Sequence, residues 1–101
     1  MFFYHSLFFF SNQFLHKGLK RYYTTGSISG IPKKHVSRIR LILTRLDAAI
    51  EPADLNLPGL KLYKLGGNLK GFYSVAVQAN WRIIFRFESK DVCDVEYIDY
   101  H

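Results

Sequence analysis

Few side chains in this chain carry chemistry, and Arg82 is the most suggestive of them. It follows Trp81 in a strand-like run. An arginine there either faces Glu96 in a cross-strand ion pair or meets a phosphate with its two-pronged guanidinium. The four histidines (His5, His16, His35 and His101) are scattered, and Cys93 is alone. None of them shows metal-ligand spacing, so a zinc site is not indicated. A lone cysteine also forbids an internal disulfide, which fits a reducing cytosol better than a secreted, stapled domain.

The charge balance names a class of partner. Fourteen Lys and Arg against eight Asp and Glu leave +6, with a pI of about 9.6. A small basic domain suits a polyanion, nucleic acid first and an acidic protein surface second. Residues 1–50 hold eight bases (Lys17, Lys20, Arg21, Lys33, Lys34, Arg38, Arg40, Arg45) and one acid, Asp47. Residues 51–101 hold six bases and seven acids. The electrostatic handle is therefore the first half, and a solvated basic helix face is its plainest explanation.

These residues must be positioned by one domain. A chain of 101 residues, 49% hydrophobic and 22% charged, is globular and supports a single modest core. Residues 1–10 read MFFYHSLFFF. No Lys or Arg precedes Lys17, the apolar run is short and no small-residue cleavage pattern follows, so this is not a signal peptide. It is also too short to span a membrane. We read residues 1–12 as an extension outside the core fold and 13–101 as the domain.

Residues 14–16 fit the end of an edge strand, and residues 17–23 a short basic helix stopped near Gly26. Pro32 suits a first helical turn. Val36, Ile39, Leu43, Leu46 and Ile50 follow at steps of 3, 4, 3 and 4, the apolar stripe of a helix ended by Pro52. Lys34, Arg38 and Arg45 fall on its other side.

Beyond Pro58-Gly59 the period changes to two. Residues 60–65, 72–78, 81–87 and 92–100 read as strands. Matching apolar faces pairs Tyr73 with Phe85, Val75 with Ile83 and Val77 with Trp81. It also pairs Phe85 with Cys93, Ile83 with Val95 and Trp81 with Tyr97, through three-residue loops at 78–80 and 88–90. Arg82 then lies across from Glu96. The fold class is α+β, two layers, with the helices on one face of a mainly antiparallel sheet.

One succession of residues resembles a known family. It comprises His16-Lys17-Gly18-Leu19-Lys20, residues 38–49 (RIRLILTRLDAA), Leu57-Pro58-Gly59, Gly67-Asn68 with Gly71, and Ser74. It continues with Asn80-Trp81-Arg82-Ile83, Phe85 and the terminal Asp99-Tyr100-His101. Together these resemble the HigB toxins, a branch of the RelE/ParE superfamily, over residues 13–101. The specific part is NWRI combined with the terminal DYH.

The resemblance implies a RelE-like fold and cleavage of mRNA in the ribosomal A site, in the bacterial cytoplasm. It also implies a helix-turn-helix HigA-type antitoxin that neutralises the toxin and, with it, binds operator DNA. It carries the family's catalytic roles onto Arg82, Asp99, Tyr100 and His101. Where members often read Leu-His-x-Leu-Lys-Gly, this chain has Leu62-Tyr63-Lys64-Leu65-Gly66-Gly67. Tyr63 and Gly66 thus stand at the family's histidine and lysine positions.

Such a site needs no cofactor, because RNA supplies its own 2′-hydroxyl as nucleophile. Protein groups take that proton, stabilise charge on phosphorus and protonate the leaving 5′-oxygen. His101 suits either proton transfer, and Asp99 suits orienting its imidazole. Tyr100 suits stacking on a base, and Arg82 suits the phosphate. Lys64, Lys70 and Arg86 add cations, with Lys64 and Lys70 flanking Gly66. Lys34, Arg38 and Arg45 suit ribosomal RNA phosphates or an acidic antitoxin surface. Two other readings stay open: a non-catalytic toxin of the same fold that blocks the ribosome or gyrase, and a relic acting as antitoxin corepressor.

Overall fold

The structure, a computed structural model, describes residues 14–100. The extension at residues 1–12 lies outside them, as does His101. Helix α1 (Lys17–Thr25) starts at His16, whose Nδ1 accepts the Leu19 N–H at 3.1 Å. It stops at Gly26, whose φ of 82° turns the chain left-handed while its N–H donates to the Tyr22 carbonyl. A 3-10 turn (Lys33–His35) leads into α2 (Val36–Ala48). The Tyr23 hydroxyl donates to Asp47 Oδ1 at 2.6 Å and ties the two helices together.

The apolar stripe of α2 differs at its end from the sequence expectation. Ile39, Leu43 and Leu46 are buried, joined by Ile42, but Ile50 is 55% exposed. The helix has already ended at Ala48, so helical spacing no longer governs Ile50. Asp54 Oδ2 accepts the N–H groups of Ile50 and Glu51, at 2.9 and 3.2 Å, and turns the chain into a second 3-10 turn (Pro52–Leu55). Buried Ala49 takes the core position instead.

Four strands follow: β1 (Tyr63–Lys64), β2 (Tyr73–Gln78), β3 (Trp81–Glu88) and β4 (Asp91–Asp99). They form one antiparallel sheet in chain order. The run at 60–65 yields only a two-residue strand, because Lys61 takes a φ of 50° and breaks the extended chain. Phe14 bridges Val95 in parallel, and the Leu15 N–H donates to the Val95 carbonyl at 2.8 Å. The edge-strand reading of 14–16 therefore holds at the outer side of β4. The helices cover one face, where Leu19, Ile39, Leu43, Val75, Ile83, Phe85 and Val95 are fully buried. Each such side chain contributes about 1.5–3 kcal/mol relative to leaving it in water.

Register is where the sheet departs from simple alternation. Tyr73 opposite Phe85 and Val75 opposite Ile83 hold, but Trp81 pairs with Gln78 rather than Val77. Between β3 and β4 the expected pairs all shift: Ile83 faces Tyr97, Trp81 faces Asp99 and Arg86 faces Cys93. Asp94 and Val95 together oppose Phe85, a bulge in which Asp94 takes a φ of 52°. It reverses the side-chain phase, so Val92 rather than Cys93 joins Val95 and Tyr97 in the core. Both hairpin loops are two residues long, Ala79-Asn80 and Ser89-Lys90, with left-handed Ala79 and Ser89. Arg82 consequently faces Ile98, and Glu96 faces Ile84. The expected Arg82–Glu96 pair is absent, and Glu96 Oε1 instead accepts the Tyr97 N–H at 3.0 Å.

The core also holds a polar pair. His35 is 2% exposed, and its Nδ1 is hydrogen-bonded to the Tyr97 hydroxyl. The Trp81 ring packs 4.7 Å from Tyr97 and 5.9 Å from His35, while the His16 ring meets Tyr97 edge-on at 5.1 Å. Burial, aided by the positive charge of Lys34, lowers the His35 pKa below 6.5. Burial also pushes the Tyr97 phenol up to about 12.

Candidate functional site

The face of the sheet away from the helices carries two arginines of unlike condition. Arg82 and Arg86 both leave β3 on this side. Arg86 Nε donates to Asp94 Oδ2 at 2.5 Å, and its Nη2 lies 3.3 Å from Glu88 Oε2. The Asp94 hydrogen bond, more than any other contact, holds this guanidinium above the ordinary arginine pKa. Its charge is thereby compensated within the protein.

Arg82 is held without being neutralised. Its Nη1 donates to Ser74 Oγ at 3.0 Å, and its guanidinium carbon lies 5.4 Å from the centre of the Tyr63 ring. Among the described residues no carboxylate oxygen lies within 4.0 Å of it. A hydroxyl and an aromatic face orient a guanidinium while leaving its full charge for another anion.

Arg82 opens onto a cleft of about 420 Å³ lined by Tyr63, Lys64, Leu65, Gly66, Ser74, Ala79, Asn80, Arg82 and Tyr100. Each wall has a local cause. Tyr63 and Lys64 arrive on β1, which pairs Tyr63 with Ser74, and Leu65 and Gly66 follow it directly. The tight turn after β2 supplies Ala79 and Asn80. The Tyr100 N–H donates to the Asn80 carbonyl at 2.7 Å and pins the end of the chain against that turn. Tyr63 and Tyr100 expose 57% and 44% of their surface here. Gly66 contributes backbone only, and a Cβ there would meet nothing within 4 Å.

The cleft gathers Arg82, Tyr100 and Lys64 from the residues singled out in the sequence. Asp99 stands next to it at the end of β4, opposite Trp81. His101 lies outside the described residues. Lys70 is exposed just past the 3-10 turn Gly67–Leu69 and does not line the cleft. Lys34 and Arg45 are exposed on the helical layer. Arg38 is only half-buried and donates from Nη1 to the Gly59 carbonyl at 2.9 Å, where it holds a turn. Sequence reasoning missed Ser74 as the partner of Arg82. The available signal was a small hydroxyl in an otherwise apolar strand, on the same face and eight residues away.

Among the described residues no three His, Cys, Asp or Glu side chains are grouped to hold a metal ion. No helix among them is long and apolar enough to cross a membrane.

Residues 12–101 match the family of RelE-like toxins of the type II toxin-antitoxin system HigB. The chain belongs to that family. The Endoribonuclease HigB of Proteus vulgaris is 43% identical over 88 residues, which is 87% of this chain and 96% of that relative. Membership makes this a HigB-like toxin whose partner is an antitoxin, and the two-layer α+β fold fits the RelE-like description. The cleft around Arg82 lies within the matched region.

Proposed function

We propose that this toxin is a metal-independent endoribonuclease that cuts mRNA on the ribosome and so stops translation. The carrying observation is Arg82, oriented by Ser74 and Tyr63 yet un-neutralised, on a cleft beside Lys64 and Tyr100. The activity named for the Proteus vulgaris relative supports the same reading.

The chemistry follows from what each group can do. A scissile phosphate seated on Arg82 meets a fixed cation where charge builds up as the 2′-hydroxyl attacks phosphorus. A preorganised donor of this kind is typically worth about 10²–10³ in rate. Lys64 adds a second cation. Tyr100 stacks on a neighbouring base, at about 1–3 kcal/mol per base. His101, oriented by Asp99, takes the proton from the 2′-hydroxyl and returns it to the leaving 5′-oxygen. Lys34 and Arg45 dock the helical layer on ribosomal RNA phosphates. The toxin acts in the bacterial cytoplasm, and its antitoxin is of the helix-turn-helix HigA type. Residues 1–12 stand outside this machinery.

The test is expression without antitoxin, followed by mapping of mRNA 5′ ends on translating ribosomes, with Arg82→Ala and a His101 deletion as controls. Growth arrest with codon-phased cuts that both controls abolish is the expected result. Arrest without cuts would make the protein a non-catalytic blocker. No arrest would leave it a corepressor relic.

A further inference from the structure

We propose that Ser74 and Tyr63 are positioning residues for the phosphate-binding arginine, clamping the Arg82 guanidinium by one edge and one face. This rests on the reading of the cleft as an RNA site, and it goes beyond that reading by assigning two residues a role through a third.

Three observations converge on the clamp. Ser74 is 1% exposed in a strand whose neighbours are aromatic or aliphatic, a place where a hydroxyl costs stability unless it is hydrogen-bonded. Its partner is Arg82 Nη1 at 3.0 Å. Arg82 stands opposite Ala76, so its side chain runs along the sheet to reach Ser74, two residues back on β2. Tyr63 pairs with Ser74 on β1 and brings its ring within 5.4 Å of the guanidinium carbon. Edge and face together fix the plane of the fork, which a single contact does not.

The comparison with Arg86 shows why this clamp suits a ligand-binding arginine. Carboxylates hold Arg86 and cancel its charge. A hydroxyl and a ring hold Arg82 and leave its charge whole. Orientation without neutralisation is what a phosphate in the cleft requires, because bidentate recognition depends on the plane of the guanidinium. Tyr63, at the position where the resemblance puts the family's histidine, supplies the ring that steadies the arginine.

Two measurements test the clamp. The first is a mutant cycle on RNA cleavage by the toxin on translating ribosomes, with thermal unfolding confirming that each variant folds. Ser74→Ala should lower single-turnover cleavage by about tenfold, the usual scale for a lost hydrogen bond to a charged group, and Tyr63→Leu by about threefold, the scale of a lost ring–cation contact. Tyr63→Phe should match the wild type. In an Arg82→Ala background the Ser74 and Tyr63 changes should have no further effect. Losses that persist in that background, or no loss from Ser74→Ala, would overturn the clamp.

The second needs no RNA: nitrogen NMR of the Arg82 side chain in the labelled protein. Slow guanidinium rotation in the wild type, released by Ser74→Ala and by Tyr63→Leu, supports the clamp, and free rotation in the wild type refutes it. A protein that cuts no RNA but keeps Arg82 restrained overturns the functional reading and leaves the clamp standing. Intact cleavage with a freely rotating Arg82 overturns the clamp alone.

Discussion

His35 and Tyr97, 62 residues apart in the chain, share a hydrogen bond inside the protein between Nδ1 and the phenolic oxygen. It joins the turn before α2 to the last strand, at the centre of the ring cluster with Trp81 and His16. Both partners are neutral in the folded state, so stability depends on pH from both sides.

On the acid side, the lowered His35 pKa means the unfolded chain binds the proton more readily than the native one. Stability from a neutral His35 is complete above pH 6.5 and is lost as pH falls through the unfolded value toward the lower folded one. On the alkaline side, Tyr97 contributes fully below its ordinary value of 10 and loses that contribution as pH rises toward about 12. Urea unfolding across pH should show both limbs. His35→Phe should flatten the acid limb, and Tyr97→Phe the alkaline one.

Arg82 and Arg86 should separate cleanly by experiment. Arg82→Ala should lower RNA cleavage about 100-fold or more, and should also cost about 1–3 kcal/mol, because the buried Ser74 hydroxyl loses its partner. Arg86→Ala should keep cleavage within about threefold and lower stability only modestly, because solvent screens its ion pairs. Single-turnover kinetics and denaturant titration on the same preparations give both readouts.

Gly66 offers a gain-of-function test. Its backbone is extended, with φ −127° and ψ −166°. A Cβ added there meets nothing within 4 Å. Gly66→Lys therefore places a cation on the cleft wall without clash or backbone strain. Cleavage should rise by about tenfold, the effect of 1.4 kcal/mol of added transition-state stabilisation. An unchanged rate would mean that charge is not what limits the reaction.

The basic residues of the helical layer divide into dockers and staples. Arg38→Ala removes the bond to the Gly59 carbonyl and should cost about 1–2 kcal/mol, with little effect on the salt dependence of ribosome binding. Lys34→Ala and Arg45→Ala should do the reverse, each reducing the salt slope by about one phosphate contact. Binding titrations over a range of salt concentrations, paired with melting curves, distinguish the two classes.

The layer plan was legible because two periods dominate the sequence, the helical one through Leu46 and the strand one from Tyr73 onward. Features set by single backbone angles were not. The left-handed turns at Lys61, Ala79, Ser89 and Asp94 carry no glycine to announce them. They shorten β1, tighten both hairpins and slide β4 against β3. That slide removed Glu96 as a partner for Arg82. In the site, Arg82, Lys64 and Tyr100 were readable from residue type and family resemblance. The Ser74 contact was not, because it runs diagonally across strands and depends on the true register. His35 looked like a scattered polar residue because its partner is distant in sequence.

The outermost strand, β4, is the longest in the sheet at nine residues. Its outer rim would otherwise present bare backbone groups to any passing chain. Phe14 and Leu15 lie against that rim and occupy the Val95 carbonyl at its middle. A short entry segment thus works as a guard rail, interrupting at its middle the rim on which a second copy could zip up. A version trimmed past Leu15 would be expected to self-associate more readily, which sedimentation at rising concentration would show.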